Sequence, residues 1–232
     1  MSSGNSIADN IKRVREAIAE AAVKAERSPD EITLVAASKT KPADMIQQAI
    51  AAGVDAVGEN RVQEMLEKNA QGAYTGAPLH FIGQLQSNKV NKIVGLCDLI
   101  ESVGSASLLA QIGRRAVSLG INQGILIEVN IGREPQKSGI LPEHLTSLME
   151  TASQTAGVNV QGLMTIPPVI PENERNCNFF DTMFKLFIDI MGKKYDNVSM
   201  RFLSMGMSDS YPEAIRCGAN MVRIGSAIFG SR

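Results

Sequence analysis

Three groups of residues in this 232-residue chain have types and spacing that could do chemistry. The first is Lys39, which closes the run Ile32-Thr33-Leu34-Val35-Ala36-Ala37-Ser38-Lys39, apolar on both faces until its last two positions. Burial disfavours an ammonium, so a lysine at the lip of a buried strand marks an amine able to act as a nucleophile. The second is Arg223, inside the apolar run Met221-Val222-Arg223-Ile224-Gly225. The third is a pair of Gly/Ser-rich turns, Met205-Gly206-Met207-Ser208 and Gly225-Ser226-Ala227. Glycines let backbone N–H groups approach an anion and serine hydroxyls add donors, so the pair reads as a phosphate cradle.

These residues need a frame, and the hydrophobic periodicity supplies one. Residues 5–26 repeat apolar side chains at helical spacing (Ile7, Ile11, Val14, Ile18) and predict an amphipathic leading helix. Short apolar runs then alternate with helical segments. Strands are expected at 32–39, 56–60, 79–83, 99–103, 124–130, 160–166, 199–205 and 221–225. Helices are expected between them at 42–52, 61–71, 87–95, 105–119, 142–156, 172–193 and 211–217, with a short last helix at 227–229. Near-continuous apolar strands alternating with helices imply a parallel sheet covered on both faces. Eight repeats in about 200 residues fit a closed (β/α)8 TIM barrel better than an open doubly wound sheet. No linker composition divides the chain, so residues 1–232 read as one domain.

Composition narrows the class. Lys+Arg 23 against Asp+Glu 24 gives a net charge of -1, so nothing suggests nucleic acid or an anionic membrane as partner. The three cysteines, Cys97, Cys177 and Cys217, form no close pair and leave an odd number, which suits a reducing compartment. With no signal-like segment at the N-terminus and no apolar stretch of the ~20 residues a span needs, the expected location is cytoplasmic. Monomer is the default state. No His/Cys cluster has metal-ligand spacing.

In a barrel, catalytic and binding groups gather at the C-terminal ends of the strands, and closure makes the first and eighth strands neighbours. That brings Lys39 beside Arg223; two adjacent cations favour the neutral amine and attract an anion. An amine nucleophile and a phosphate cradle at one mouth suit an aldehyde-bearing phosphate. Pyridoxal 5'-phosphate has both handles. Each residue also has a plainer reading. Lys39 alone would be a snorkelling strand-end lysine; Lys41 reads as a solvated or anion-attracting charge, and Asn60 as a cap for the helix at 61–71. His80 reads as structural, His144 as surface, Glu59 with Arg61 as a rim ion pair, and Met183 and Met191 as core.

Six segments together resemble the pyridoxal phosphate homeostasis proteins. They are Leu34-Val35-Ala36-Ala37-Ser38-Lys39-Thr40-Lys41, Val57-Gly58-Glu59-Asn60-Arg61-Val62-Gln63-Glu64, His80-Phe81-Ile82-Gly83-Gln84-Leu85-Gln86-Ser87-Asn88-Lys89, Gly162-Leu163-Met164-Thr165-Ile166, Ser204-Met205-Gly206-Met207-Ser208-Asp209 and Val222-Arg223-Ile224-Gly225-Ser226-Ala227-Ile228-Phe229-Gly230. The resemblance spans essentially the whole chain and implies a barrel like the N-terminal domain of alanine racemase. It implies pyridoxal phosphate held as an aldimine on Lys39, with Asn60 beside the ring hydroxyl and Arg223 against the pyridine nitrogen. Around the phosphate it implies Ser204, Ser208, Gly225 and Ser226; Ser226 stands where many members carry threonine, and keeps the donors. A loop at 129–139, with Lys137 near its tip, also has the family look.

An arginine does not surrender its proton, so at the ring nitrogen it weakens the electron sink. Racemases of this fold take a tyrosine from a second domain, and Tyr74, Tyr195 and Tyr211 all fall in expected loops or helices. The expected role is therefore a non-catalytic carrier in vitamin B6 and amino-acid homeostasis, with apo-enzymes that use the cofactor as partners. The alternatives are a racemase or decarboxylase, or a Schiff-base aldolase whose cradle holds a sugar phosphate.

Overall fold

Each of the eight apolar runs forms a strand because alternate side chains bury on two sides, one set toward the surrounding helices and one toward a closed interior. The computed structural model describes residues 6–168 and 177–230. Strands β1 (Thr33–Ala37), β2 (Ala56–Glu59), β3 (Leu79–Phe81), β4 (Leu99–Val103), β5 (Gln123–Glu128), β6 (Val158–Met164), β7 (Val198–Ser204) and β8 (Met221–Ile224) pair in parallel and in sequence order. The barrel closes where Val35 of β1 pairs with Arg223 of β8.

Among the described residues the helices are α1 (Ile7–Lys24), α2 (Ala43–Ala51), α3 (Val62–Ala70), α4 (Val90–Ile93), α5 (Ala106–Ser118), α6 (Leu145–Ser153), α7 (Cys177–Gly192), α8 (Tyr211–Arg216) and α9 (Ser226–Phe229). The expected boundaries hold within a few residues, and the start of the segment at 172–193 lies partly outside the described residues. Met183 is buried as expected, whereas Met191 is 52% exposed: the helical period turns it outward with Phe184 and Ile188.

Helix α1 starts at a capping box in which Ser6 and Asp9 satisfy each other's backbone N–H. Its inner face buries Ile7, Ile11, Val14 and Ile18, each isoleucine contributing about 1.5–3 kcal/mol. It also clamps the last elements of the chain, since Asn10 Nδ2 donates to Ile228 O at 2.7 Å and, just beyond α1, Arg27 Nη1 donates to Ala219 O at 2.7 Å. The leading helix thus fixes α8, β8 and α9 against β1.

The interior of the barrel is divided by height. Val35, Ala56, Leu99, Leu126, Met164 and Met221 form an apolar plug separate from the core under the helices. Two residues further along their strands, the same inward parity brings Glu101, Glu128 and Arg223 together with His80 and Ser204 into a buried polar belt. Between β7 and β8 the registered ladder shrinks to the single pair Ser204 and Met221. The seam continues as Met205 N–H to Met221 O and Arg223 N–H to Gly206 O, both 3.1 Å, which stitches the Gly206 turn to β8. Gly206 has φ +95°, and a Cβ there would lie 2.7 Å from that of Ala214. Only glycine suits that turn.

Candidate functional site

Strand β1 ends at Ala37, earlier than expected, because the chain turns: Lys41 N–H donates to Ser38 O at 3.0 Å and Thr40 takes φ +64°. Lys39 therefore sits in an exposed turn and not at the end of a buried strand, so burial does not mark it out. What marks it is isolation within a fixed frame. Ser38 Oγ donates to Glu59 Oε1 at 2.6 Å, Lys68 Nζ donates to Ser38 O at 3.0 Å, and Thr40 N–H donates to Glu64 Oε2 at 2.9 Å. Lys41 Nζ donates to Phe229 O and Gly230 O at 3.2 and 3.3 Å. Every neighbour of Lys39 is pinned, while its own ammonium has no hydrogen-bond or ion-pair partner among the described residues. Lys41, expected as a solvated or anion-attracting charge, lines the cavity mouth and also tethers the carboxyl end of α9, where a cation suits the helix dipole.

Glu59 also departs from expectation. It faces the outer side of β2, fully buried, and Oε1 accepts from Ser38, from Lys68 Nζ at 2.7 Å and from Tyr74 Oη at 3.2 Å. Burial, with the Glu59 charge beside it, pushes the Tyr74 hydroxyl well above its ordinary value, so it stays a donor. Arg61 reaches Glu64 instead, at 3.4 Å.

A cavity of about 410 Å³ opens above β1 and β8, lined by Lys39, Lys41, Ser208, Arg223, Gly225 and Ser226, with Met207 and Asp209 on its rim. Five of the seven sequence-predicted site residues thus share one space. Ser208 Oγ accepts from the N–H groups of Gly225 and Ala227, at 3.3 and 3.5 Å, linking the two Gly/Ser turns. A side chain at Gly225 would press within 3.1 Å of Ala37 O, so the backbone there reaches the cavity wall directly.

The other two predicted residues lie elsewhere. Ser204 is inside the barrel, donating to Glu101 Oε2 at 2.6 Å and accepting from Arg223 Nη1 at 2.5 Å. Asn60 borders a separate hollow with Gln84 and Lys89, and its Oδ1 is buried without a partner. It does not cap α3, whose N-cap is Arg61; instead its backbone packs on Gly83, where a Cβ would lie 2.0 Å from Asn60 O.

Arg223 is 4% exposed and held from three sides: by Ser204, by Thr165 O at 2.9 Å from Nη2, and by Glu101 Oε2 at 3.7 Å. Burial pulls its guanidinium below the ordinary value against the pull of Glu101 and Glu128. Burial alone would raise the Glu101 carboxyl, but the His80 hydrogen bond and charge, with Arg223 and Ser204, outweigh it and hold that carboxyl below its ordinary value. His80 Nδ1 lies 2.8 Å from Glu101 Oε1, the structural role expected of it, and His144 is exposed in the turn before α6. Glu101 and Glu128 went unnoticed in the sequence. Their signal was a carboxylate at inward parity directly after the apolar runs Leu99-Ile100 and Ile125-Leu126-Ile127.

No group of His, Cys, Asp and Glu that could hold a metal occurs among the described residues. No helix among them is long and apolar enough to cross a membrane.

The fold and mouth define a parallel (β/α)8 barrel with an unpartnered lysine, a buried arginine and two Gly/Ser turns linked through Ser208. Comparison with known proteins sharpens that class. The alanine racemase N-terminal domain family matches residues 3–232. A pyridoxal phosphate homeostasis protein of Aquifex aeolicus (strain VF5) is 40% identical over 97% of this chain and 97% of its own. Its Escherichia coli (strain K12) namesake is 38% identical over 98% and 97%. The structure of PipY from Synechococcus elongatus PCC7942 with pyridoxal phosphate bound superposes with a TM-score of 0.84, 31% identity and coverage of 97% of this chain and 100% of that one. An alanine racemase of Clostridium difficile 630 shares the fold at TM-score 0.72 and 18% identity, this chain covering 57% of it. The chain belongs to the pyridoxal phosphate homeostasis proteins, within the alanine racemase N-terminal domain family.

Proposed function

We propose that this protein binds pyridoxal phosphate covalently through Lys39 and holds it in reserve, residues 1–232 acting as one binding domain in the cytoplasm. The observation that carries the reading is the isolated Lys39 ammonium, presented by a pinned turn into the cavity that Arg223, Ser208, Gly225 and Ser226 line. The residues fit the cofactor. Its aldehyde would supply the bond to the amine, and its phosphate would take the N–H groups that Ser208 Oγ now accepts from. Arg223 is a fixed donor for the ring nitrogen and cannot give up its proton. Asn60 Oδ1, buried and unpartnered, is an acceptor for the ring hydroxyl. Ser204 acts through Arg223 and not on the phosphate.

Custody is favoured over turnover because no tyrosine among the described residues lines the cavity. Tyr74 is tied to Glu59 outside the barrel, and neither Tyr195 nor Tyr211 lines the mouth. Transfer to apo-enzymes from a monomeric carrier completes the reading. Borohydride treatment of the purified yellow protein, followed by digestion and mass spectrometry, should place the reduced cofactor on Lys39. A colourless protein that ignores added cofactor rejects the proposal. Exchange of an amino acid's α-proton faster than with free cofactor would restore the racemase alternative.

A further inference from the structure

On the flank of the barrel, we propose that α5 carries a binding site for a small polar phosphomonoester, built on Arg114 and Arg115. A hollow of about 390 Å³ lies between residues 87–91 and α5. Gln111, Arg114, Arg115 and Ser118 line it from the helix, because spacings of three, four and seven residues put them on one face. Ser87 and Asn91 line it from the other side, and none of these residues lines the Lys39 cavity. Arg115 Nε is buried without a hydrogen-bond partner, and neither guanidinium has an ion pair among the described residues. A charged donor left without an acceptor is costly, and an anion on the outer N–H groups supplies the missing counter-charge.

The chemistry of the wall selects the ligand. Two adjacent guanidiniums suit a dianion, and their planar forks match phosphate oxygens. Among the described residues no carboxylate lines the hollow to oppose it. Of the two acids between Gln84 and Ser118, Asp98 accepts from Leu79 N–H at 2.8 Å and Glu101 belongs to the inner belt. Lys89 and Lys92, in the same stretch and equally without ion pairs among the described residues, border the hollow at Asn60 and extend the positive field. Asn91 and Gln111 have side-chain amides free of partners among the described residues, and these offer donors and acceptors to hydroxyl groups. Ser118 Oγ, which donates to Arg115 O at 2.7 Å, offers a further acceptor. Val90 is the one apolar residue among the described lining, and no aromatic ring is present there for a nucleobase to stack on. At about 30 Å³ per water-sized group the hollow of about 390 Å³ takes about thirteen, the size of a phosphorylated sugar or polyol.

The experiment is calorimetric titration of the borohydride-reduced, cofactor-loaded protein, whose Lys39 cavity is already filled, using sorbitol 6-phosphate, sorbitol and inorganic phosphate. Mass analysis of the same sample reports cofactor attachment separately, and the same variants titrated without cofactor keep the two readings apart. Saturable one-to-one binding of sorbitol 6-phosphate is expected, at least threefold tighter than inorganic phosphate, with no binding of sorbitol at the same concentrations. Arg115→Gln should weaken it at least tenfold. Arg114→Gln, at an exposed position where folding is safe, should weaken it at least threefold. Lys12→Gln, which removes one charge from the exposed side of α1, should leave the affinity unchanged. Absent binding, inorganic phosphate equal to sorbitol 6-phosphate, wild-type affinity in either folded arginine variant, or an equal loss in Lys12→Gln overturns the proposal.

Discussion

On the outer side of β2, Glu59 gathers the Ser38 hydroxyl, the Lys68 ammonium and the Tyr74 hydroxyl on one oxygen; inside the barrel, Glu101 gathers His80, Ser204 and Arg223 on two. Both are buried carboxylate and cation clusters of similar make-up. They differ in what lies beyond the cation. Lys68 ends in protein, on Ser38 O and Glu59, so the outer cluster fixes backbone on one side of Lys39. Arg223 borders the cavity, so the inner cluster aims a side chain at whatever enters. Similar chemistry serves as a brace on one side of the wall and as a sighting device on the other.

The largest effects should be common to both. Glu59→Ala and Glu101→Ala each leave a buried cation without its carboxylate, and each should lose about 3–5 kcal/mol in urea denaturation. A loss below about 1 kcal/mol in either would break the equivalence. The conservative pair separates the roles. Glu101→Gln should weaken pyridoxal phosphate binding about tenfold, or 1.4 kcal/mol, and shift the absorption of the bound cofactor, whereas Glu59→Gln should leave that absorption in place; identical spectra for the two variants would sink the distinction.

The inner belt also predicts opposite pH responses. Glu101's folded value is lowered from 4.5, so its stabilisation is complete above that value and is lost as pH falls through the folded one. Glu128's is raised, so its contribution is complete below 4.5 and is lost as pH rises through the folded value. Melting temperatures across pH, compared with Glu101→Gln and Glu128→Gln, should diverge from wild type in opposite directions; parallel curves would contradict the assignment. Smallest are the turn lysines. Lys41→Ala should lose about 0.5–1 kcal/mol, through its hold on the end of α9. Lys39→Ala should change stability by less than about 0.5 kcal/mol while abolishing covalent cofactor retention. A destabilised, cofactor-retaining Lys39→Ala would invert the picture.

The barrel was legible because its signal is periodic: strands whose neighbours are buried on both sides read as apolar runs, and their order follows from parallel connection. The cavity residues were legible where type and strand end coincide, as with Lys39, Arg223 and Ser208. What failed to show depends on distance in sequence. Ser204 looks like a phosphate donor until Glu101, 103 residues away, claims its hydroxyl. Lys41 looks solvated until α9 arrives beneath it, and Glu59 pairs with Lys68 and not with Arg61, because outward parity on β2 points it at α3. The expected burial of Lys39 failed for a local reason, the turn at Thr40.

Ser208 has a consequence for the proposed storage and release of a cofactor. Its hydroxyl oxygen accepts, over long hydrogen bonds of 3.3 and 3.5 Å, from Gly225 and Ala227 N–H, in the turn where a phosphate is proposed to sit. The hydroxyl is thus a resident understudy for the anion. With a phosphate proposed there, loaded and emptied forms would both keep those donors occupied, so that cycling between them would pass through no costly bare state, as reversible storage requires.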